Sequence, residues 1–206
     1  MSLTFYFAPQ STASVTNLVL EELGTPHERV KLDIKKRETH TPDFLKINPN
    51  GKVPTIVHDG VAIWESSAIT FYLGETFGEK AKLWPAPGLK RAEAMKWVVW
   101  THVSLGEAVY RWARNTMWAP DDQKNAKAAA AASKEIRELL QLLDGALADR
   151  PFLTGEYTLA DTHVNSFVEW LRHMKIDMEG LAHVNAWTKK CDERPAVSRA
   201  RAREQA

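Results

Sequence analysis

The stretch Asn48-Pro49-Asn50-Gly51-Lys52-Val53-Pro54-Thr55-Ile56-Val57, followed after a turn by Trp64-Glu65-Ser66-Ser67, constrains this chain more than any other. Pro54 stands directly before a β-branched run and has no N–H for a sheet ladder, so the strand must begin there or lie at an edge. A cis Val53-Pro54 bond would turn the Val53 N–H and C=O outward, unpaired. An extended peptide can add to such a pair by main-chain hydrogen bonds. Glu65 and Ser66 stand where a strand gives way to a helix, and offer a carboxylate, a hydroxyl and helix N-terminal amides. The stretch reads as a device for holding a small peptide against a strand edge and gripping its carboxylate.

Around it the first half alternates strand and helix. Leu3-Thr4-Phe5-Tyr6-Phe7 is a short buried strand, ended by a loop of small hydroxyl residues, Ala8 to Ser14. Val15, Leu18, Val19 and Leu23 recur at helical spacing, with Gly24 and Pro26 as the stop. Glu28 to Leu32 alternates like a strand, which completes a parallel βαβ unit with right-handed crossover. Pro42 opens a brief helix. Thr55 to His58 and Val61 to Trp64 flank Asp59-Gly60, the signature of a primed hairpin turn. Ile69, Tyr72, Leu73 and Phe77 then share one helical face up to Gly78. The order is βαβ-α-ββα.

Beyond the Pro- and Gly-rich stretch around Trp84-Pro85 the chain reads as all helical. Residues 89–118 carry an aromatic face, and residues 124–148 form a long Ala/Lys/Glu/Leu helix. Thr158-Leu159-Ala160-Asp161 is a capping box, and a final helix holds Val184 and Trp187. Arg199, Arg201 and Arg203 read as a solvated tail. The expected organisation is a first domain over 1–80, a linker over 81–88 and an all-helical domain over 89–206.

Balanced charge, 27 Lys+Arg against 26 Asp+Glu, argues against a nucleic-acid or membrane-surface role. The start of the chain lacks a signal-peptide pattern and no apolar run is long enough to span a bilayer, so a cytoplasmic protein is expected. The single cysteine, Cys191, excludes an internal disulfide and a Cys-x-x-Cys pair. The seven histidines form no ligand-spaced cluster with it, so no metal is expected.

The Asn48 to Pro54 motif, Trp64-Glu65-Ser66-Ser67-Ala68-Ile69 with Tyr72-Leu73, Leu83-Trp84-Pro85 and the Thr158-x-x-Asp161 box together resemble the cytosolic glutathione transferases, in family order and over nearly the whole chain. The resemblance implies a thioredoxin-like N-terminal domain that binds glutathione as co-substrate, a helical-bundle domain that receives a small hydrophobic electrophile, and a homodimer. By position, Val53 beside Pro54 would pair with the cysteinyl backbone of glutathione, Glu65 and Ser66 would hold its γ-glutamyl end, and Lys52 and His40 would face its glycyl carboxylate. Trp100, Trp112 and Arg111 are the candidates for the acceptor pocket, with burial the ordinary role of such tryptophans.

In this family a hydroxyl or thiol near the first helix favours the glutathione thiolate. Ser11 ranks first here, Thr12 second and Tyr6 third, while capping the helix is the ordinary role of at least one of these hydroxyls. Thr12 falls where bacterial beta-type members place a cysteine, so the chain resembles a serine- or threonine-type rather than a cysteine-type member. The expected activity is transfer of the glutathione thiolate to an electrophile, in detoxification. The rivals are a non-catalytic adaptor on the same fold and a glutathione-dependent isomerase, reductase or dehalogenase.

Overall fold

The computed structural model describes residues 2–205. Strand β1 (Leu3–Phe7), helix α1 (Ala13–Leu23) and strand β2 (Glu28–Lys31) form the parallel unit. Helix α2 (Pro42–Ile47) precedes the hairpin of β3 (Thr55–His58) and β4 (Val61–Trp64), and α3 (Ser66–Leu73) follows. Among the described residues the sheet has four strands in the order β2-β1-β3-β4, with β1 antiparallel to β3. This is the expected thioredoxin-like order. The local signals explain it: Gly24 ends α1 at φ 61°, and Asp59 and Gly60 make the hairpin turn at φ 46° and 84°.

Phe5 and Ile56, directly opposite each other, are fully buried on one face of the sheet. On the other face Tyr6 meets the ring of Phe44 from α2 edge-on at 5.7 Å. The segment after α3 is not a loose tether. Trp84 is buried against Gly74, where a Cβ would lie 2.6 Å from the indole, so only glycine permits the approach. Arg91 donates to the Pro85 carbonyl at 2.8 Å and to the Glu79 carboxylate.

The chain divides into two compact units, one holding everything up to Arg91 together with the segment from Glu193 onward, the other Ala92–Asp192. The expected boundary ran the helical half to residue 206. The difference is the last helix. The arginines expected in a solvated tail lie instead in a helix that packs on α1 within the first unit. The physical reason is a pair of buried carboxylates on α1. Glu22 accepts two hydrogen bonds from Arg194 at 2.6 Å, and Glu21 pairs with Arg199 at 3.3 Å and Arg203 at 2.9 Å. A carboxylate taken out of water needs such partners.

In the second unit α4 (Leu89–Trp100), which begins in the first unit, and α5 (Glu107–Ala113) are joined by a π-helical turn, Thr101–Gly106, with another, Arg114–Trp118, after α5. Helices α6 (Ala126–Ala146), α7 (Leu159–His173) and α8 (Ala182–Asp192) follow, and α9 (Pro195–Gln205) is the one that returns to the first unit. The expected capping box is present at the start of α7. Its acid, Asp161, is fully buried and also accepts from Leu153 N and from Trp187 Nε1, both at 2.9 Å, so one carboxylate ties the α7 start to the preceding loop and to α8.

His102 and His163 face each other in this unit, Nε2 to Nε2 at 2.8 Å, which requires one ring to donate and the other to accept. Burial holds His102 down at about 4 and His163 well below the ordinary imidazole range. Both rings are therefore neutral in the folded protein, whereas the unfolded chain takes up protons below about pH 6.5. The stabilising contribution is complete above that value and is lost as pH falls toward 4. Urea unfolding at pH 7.5 and pH 5 should show a drop of about 2 kcal/mol for each imidazole. Equal stability at both pH values would show that the pair does not titrate on unfolding.

Candidate functional site

Strand register brings three separated segments to one end of the sheet. Tyr6 lies opposite Thr55 on the antiparallel β1–β3 pair, and Thr55 lies opposite Trp64 on β3–β4. The loop leaving β1, the loop entering β3 and the residues leaving β4 therefore emerge together. They carry Ser11 and Thr12, Lys52 to Pro54, and Glu65 and Ser66.

The central loop is built by Asn48. Its buried amide donates to the Lys52 carbonyl at 2.8 Å and to Thr55 Oγ1 at 3.0 Å, while its Oδ1 accepts from Asn50 N at 3.0 Å. Thr55 Oγ1 donates back to the Lys52 carbonyl at 3.0 Å. The Val53-Pro54 bond is cis, as the entry into β3 suggested. Gly51 takes φ 61°, and a Cβ there would lie 3.1 Å from the His40 ring and from the Thr39 carbonyl. Gly51 thus lets His40, eleven residues earlier in sequence, stand beside the loop that presents the exposed Lys52. Asn48 and Thr55 had no assigned role in the sequence reading. Their signal was an amide and a hydroxyl bracketing a turn that must satisfy its own carbonyls.

The hydroxyls after β1 differ in their commitments. Ser11 Oγ donates to the Ala8 carbonyl at 2.7 Å and accepts from Ala13 N at 3.2 Å, so it closes the turn and caps α1. Thr12 is exposed and makes no cap hydrogen bond. Its Oγ1 donates across 41 residues to the Val53 carbonyl at 3.3 Å. Tyr6 is half-buried under Phe44.

Glu65 has φ 69° and ψ 117°, a backbone conformation that side-chain-bearing residues avoid, at a cost of about 1–3 kcal/mol. It makes no capping hydrogen bond at the start of α3, and its side chain is exposed. Ser66, next to it, is buried at the first position of α3. The strained conformation holds an acidic side chain beside the amides that open a helix, at the end of the sheet where the other two loops emerge.

In the helical unit Trp100 packs edge-on to Trp97 at 5.3 Å, and Trp112 is half-buried on α5. Arg111 is exposed, and its guanidinium donates to both oxygens of Glu135 at 2.7 Å with Glu107 at 3.6 Å. Hydrogen bonding to Glu135 raises its pKa further. Cys191 is buried. Among the described residues no group of three or more His, Cys, Asp and Glu side chains could hold a metal ion, and no helix is long and apolar enough to cross a membrane.

Residues 1–75 match the family model of the glutathione S-transferase N-terminal domain, and residues 100–195 that of the C-terminal domain. The chain belongs to the glutathione S-transferase family. It is 33% identical over 183 residues to the glutathione S-transferase GstB of Escherichia coli, covering 87% of this chain and 88% of that one. It is also 30% identical over 203 residues to the disulfide-bond oxidoreductase YfcG of the same organism, covering 95% and 92% of the two chains. The glutathione transferase URE2P6 from Phanerochaete chrysosporium, solved in complex with oxidised glutathione, superposes with a TM-score of 0.90 at 27% identity, covering 99% of this chain and 96% of that one.

Glycine at position 65, with no Cβ, would adopt the same backbone at a smaller penalty. Glu65→Gly should raise the stability of this glutathione S-transferase family member by about 1 kcal/mol in a denaturant titration. A loss of stability would mean that the Glu65 side chain supports the fold more than its backbone strains it.

Proposed function

We propose that this chain binds glutathione at the convergent loops of the first unit, stabilises its thiolate and transfers it to a small hydrophobic electrophile. The observation that carries the reading is the Thr12 hydroxyl resting on the Val53 carbonyl, which joins the hydroxyl loop to the edge suited to an extended peptide. The Val53 backbone pairs with the cysteinyl residue of the tripeptide beside Pro54. Glu65 accepts from the γ-glutamyl ammonium, and Ser66 with the α3 amides takes its carboxylate. Lys52 and His40 face the glycyl carboxylate.

Thr12 suits thiolate stabilisation better than Ser11, which reverses the ranking drawn from sequence. The Ser11 proton is held by the Ala8 carbonyl at 2.7 Å, whereas the Thr12 bond to Val53 is long and exposed. A cysteinyl N–H arriving at Val53 competes for that carbonyl and frees the Thr12 proton to point at sulfur. Lowering a thiol pKa by two units takes about 2.7 kcal/mol, within reach of one hydrogen bond to a charged sulfur plus a helix N-terminus. Tyr6, under Phe44, ranks third. The thiolate then attacks the electrophilic carbon: a C–S bond forms, and the leaving group departs with its electron pair or the adduct takes up a proton. Trp100 and Trp112 supply the apolar acceptor surface. Arg111, held by Glu135, is the weaker acceptor candidate.

The likeness to a disulfide-bond oxidoreductase favours one second reading. With Cys191 buried, the chain offers no thiol of its own there, so disulfide reduction would use glutathione for both thiols. The first thiolate attacks the disulfide and releases one thiolate, and a second glutathione resolves the mixed disulfide.

A thermal shift with glutathione at about 10 mM tests the binding, and no shift would favour an adaptor. In an ultraviolet titration of bound glutathione, Thr12→Val should raise the thiol pKa by about one unit or more, with Ser11→Ala moving it less. The opposite order would return the role to Ser11. A panel of electrophiles and disulfides separates the two readings.

We also propose a homodimer, because Val61 on β4 of the first unit is 64% exposed and Val103 in the second is 69% exposed, the latter one helical turn from the exposed Val99. Light scattering should give twice the chain mass, and Val61→Glu should shift it toward monomer. A wild-type monomer would end the proposal.

A further inference from the structure

A cavity of about 330 Å³ opens in the second unit where the chain leaves α6 and passes one face of α8. His183, Ala186, Trp187 and Lys190 recur at helical spacing along that face, and the turn containing Asp149 and Arg150 forms the opposite wall. We infer that this cavity is a second binding site, separate from the glutathione loops, for a small organic phosphate.

The volume lies in the range of small-molecule pockets. The walls are held in place before any ligand arrives. The buried Trp187 is fixed by the hydrogen bond from its Nε1 to Asp161 at 2.9 Å, and Ala186 adds only a methyl group to that wall. Arg150 is anchored through Nη1 to Glu93 at 2.9 Å and to the Leu153 carbonyl at 3.3 Å, and through Nε to Asp149 at 3.4 Å. None of those bonds uses Nη2, so one edge of a pre-oriented guanidinium remains for a ligand.

The other two basic groups are less engaged. Lys190 Nζ lies 5.9 Å from the Phe152 ring, and among the described residues neither Lys190 nor His183 has a hydrogen bond or a carboxylate partner. The cavity therefore combines a planar donor edge, an ammonium point charge and an imidazole around one space. This set suits an anion with several oxygens to accept from it. Asp149 and Glu93 both pair with Arg150, so among the described residues the charge left without a carboxylate partner is that of Lys190. Trp187 is 1% exposed and presents no free ring face for stacking, which favours a compact phosphate ester over a flat aromatic anion.

Isothermal titration with inorganic pyrophosphate tests this, with glutathione present at about 10 mM to occupy the first unit. Saturable binding with Kd below about 1 mM is expected, weakening as salt is raised. Lys190→Ala, His183→Ala and Arg150→Gln should each weaken it by about ten-fold, while Lys52→Ala leaves it unchanged. Arg150→Gln also loses structural bonds, so the two exposed α8 variants decide the outcome if it fails to fold. No saturable heat, or binding that survives Lys190→Ala and His183→Ala but is lost in Lys52→Ala, overturns the inference.

Discussion

The antiparallel pairing of β1 with β3 is the constraint on which the candidate site depends. A slip of one residue would move every β3 side chain to the opposite face, bringing Thr55 or Val57 to where Ile56 now sits. The pairing of Phe5 with Ile56, both without solvent exposure, holds the register. That apolar pair fixes how far the chain emerges before each loop, and so which polar residues meet at the sheet end. Thr12 and Val53 come into contact because two hydrophobic residues several positions away are packed.

Much of the first unit was legible because its signals are local. Asp59-Gly60 demanded positive φ at two successive positions, Gly24 ended a helix, and strand–helix–strand spacing implied a parallel pair. The placing of Lys52, Val53 and Pro54 at a strand entry followed from the missing proline donor. The commitments of Ser11 and Thr12 were not legible. Both are hydroxyls at the start of a helix, and one bond to a carbonyl far along the chain separates them. Nor could sequence reveal the strained backbone of Glu65, since glutamate carries no preference for positive φ.

The helical unit shows the same division. The capping box at Thr158 and Asp161 was readable from spacing, yet the indole of Trp187 and the amide of Leu153 converge on that carboxylate only in three dimensions. Burial pushes the Asp161 pKa up, while the donors gathered around it pull the other way. A carboxylate in such a position ties elements together more than it stabilises them, because its desolvation offsets much of what the hydrogen bonds contribute. The arginines of α9 were misread for a related reason. Alternating Arg and Ala resembles a solvated face, and nothing nearby in sequence announces buried glutamates more than 170 residues away.

That separation bears on how the chain is made. Domains generally fold as units, N-terminal first, while the ribosome is still at work. Here Glu21 and Glu22 belong to α1, and their arginine partners to α9 and the residue before it, which are made only after the whole of the second unit. Until Arg194, Arg199 and Arg203 leave the exit tunnel, the two carboxylates have no counter-ions in α9 and one side of α1 lies uncovered. The unit that begins to be translated first is therefore finished after the second, and a chain stopped between Asp192 and Arg194 would have a whole second unit and an incomplete first.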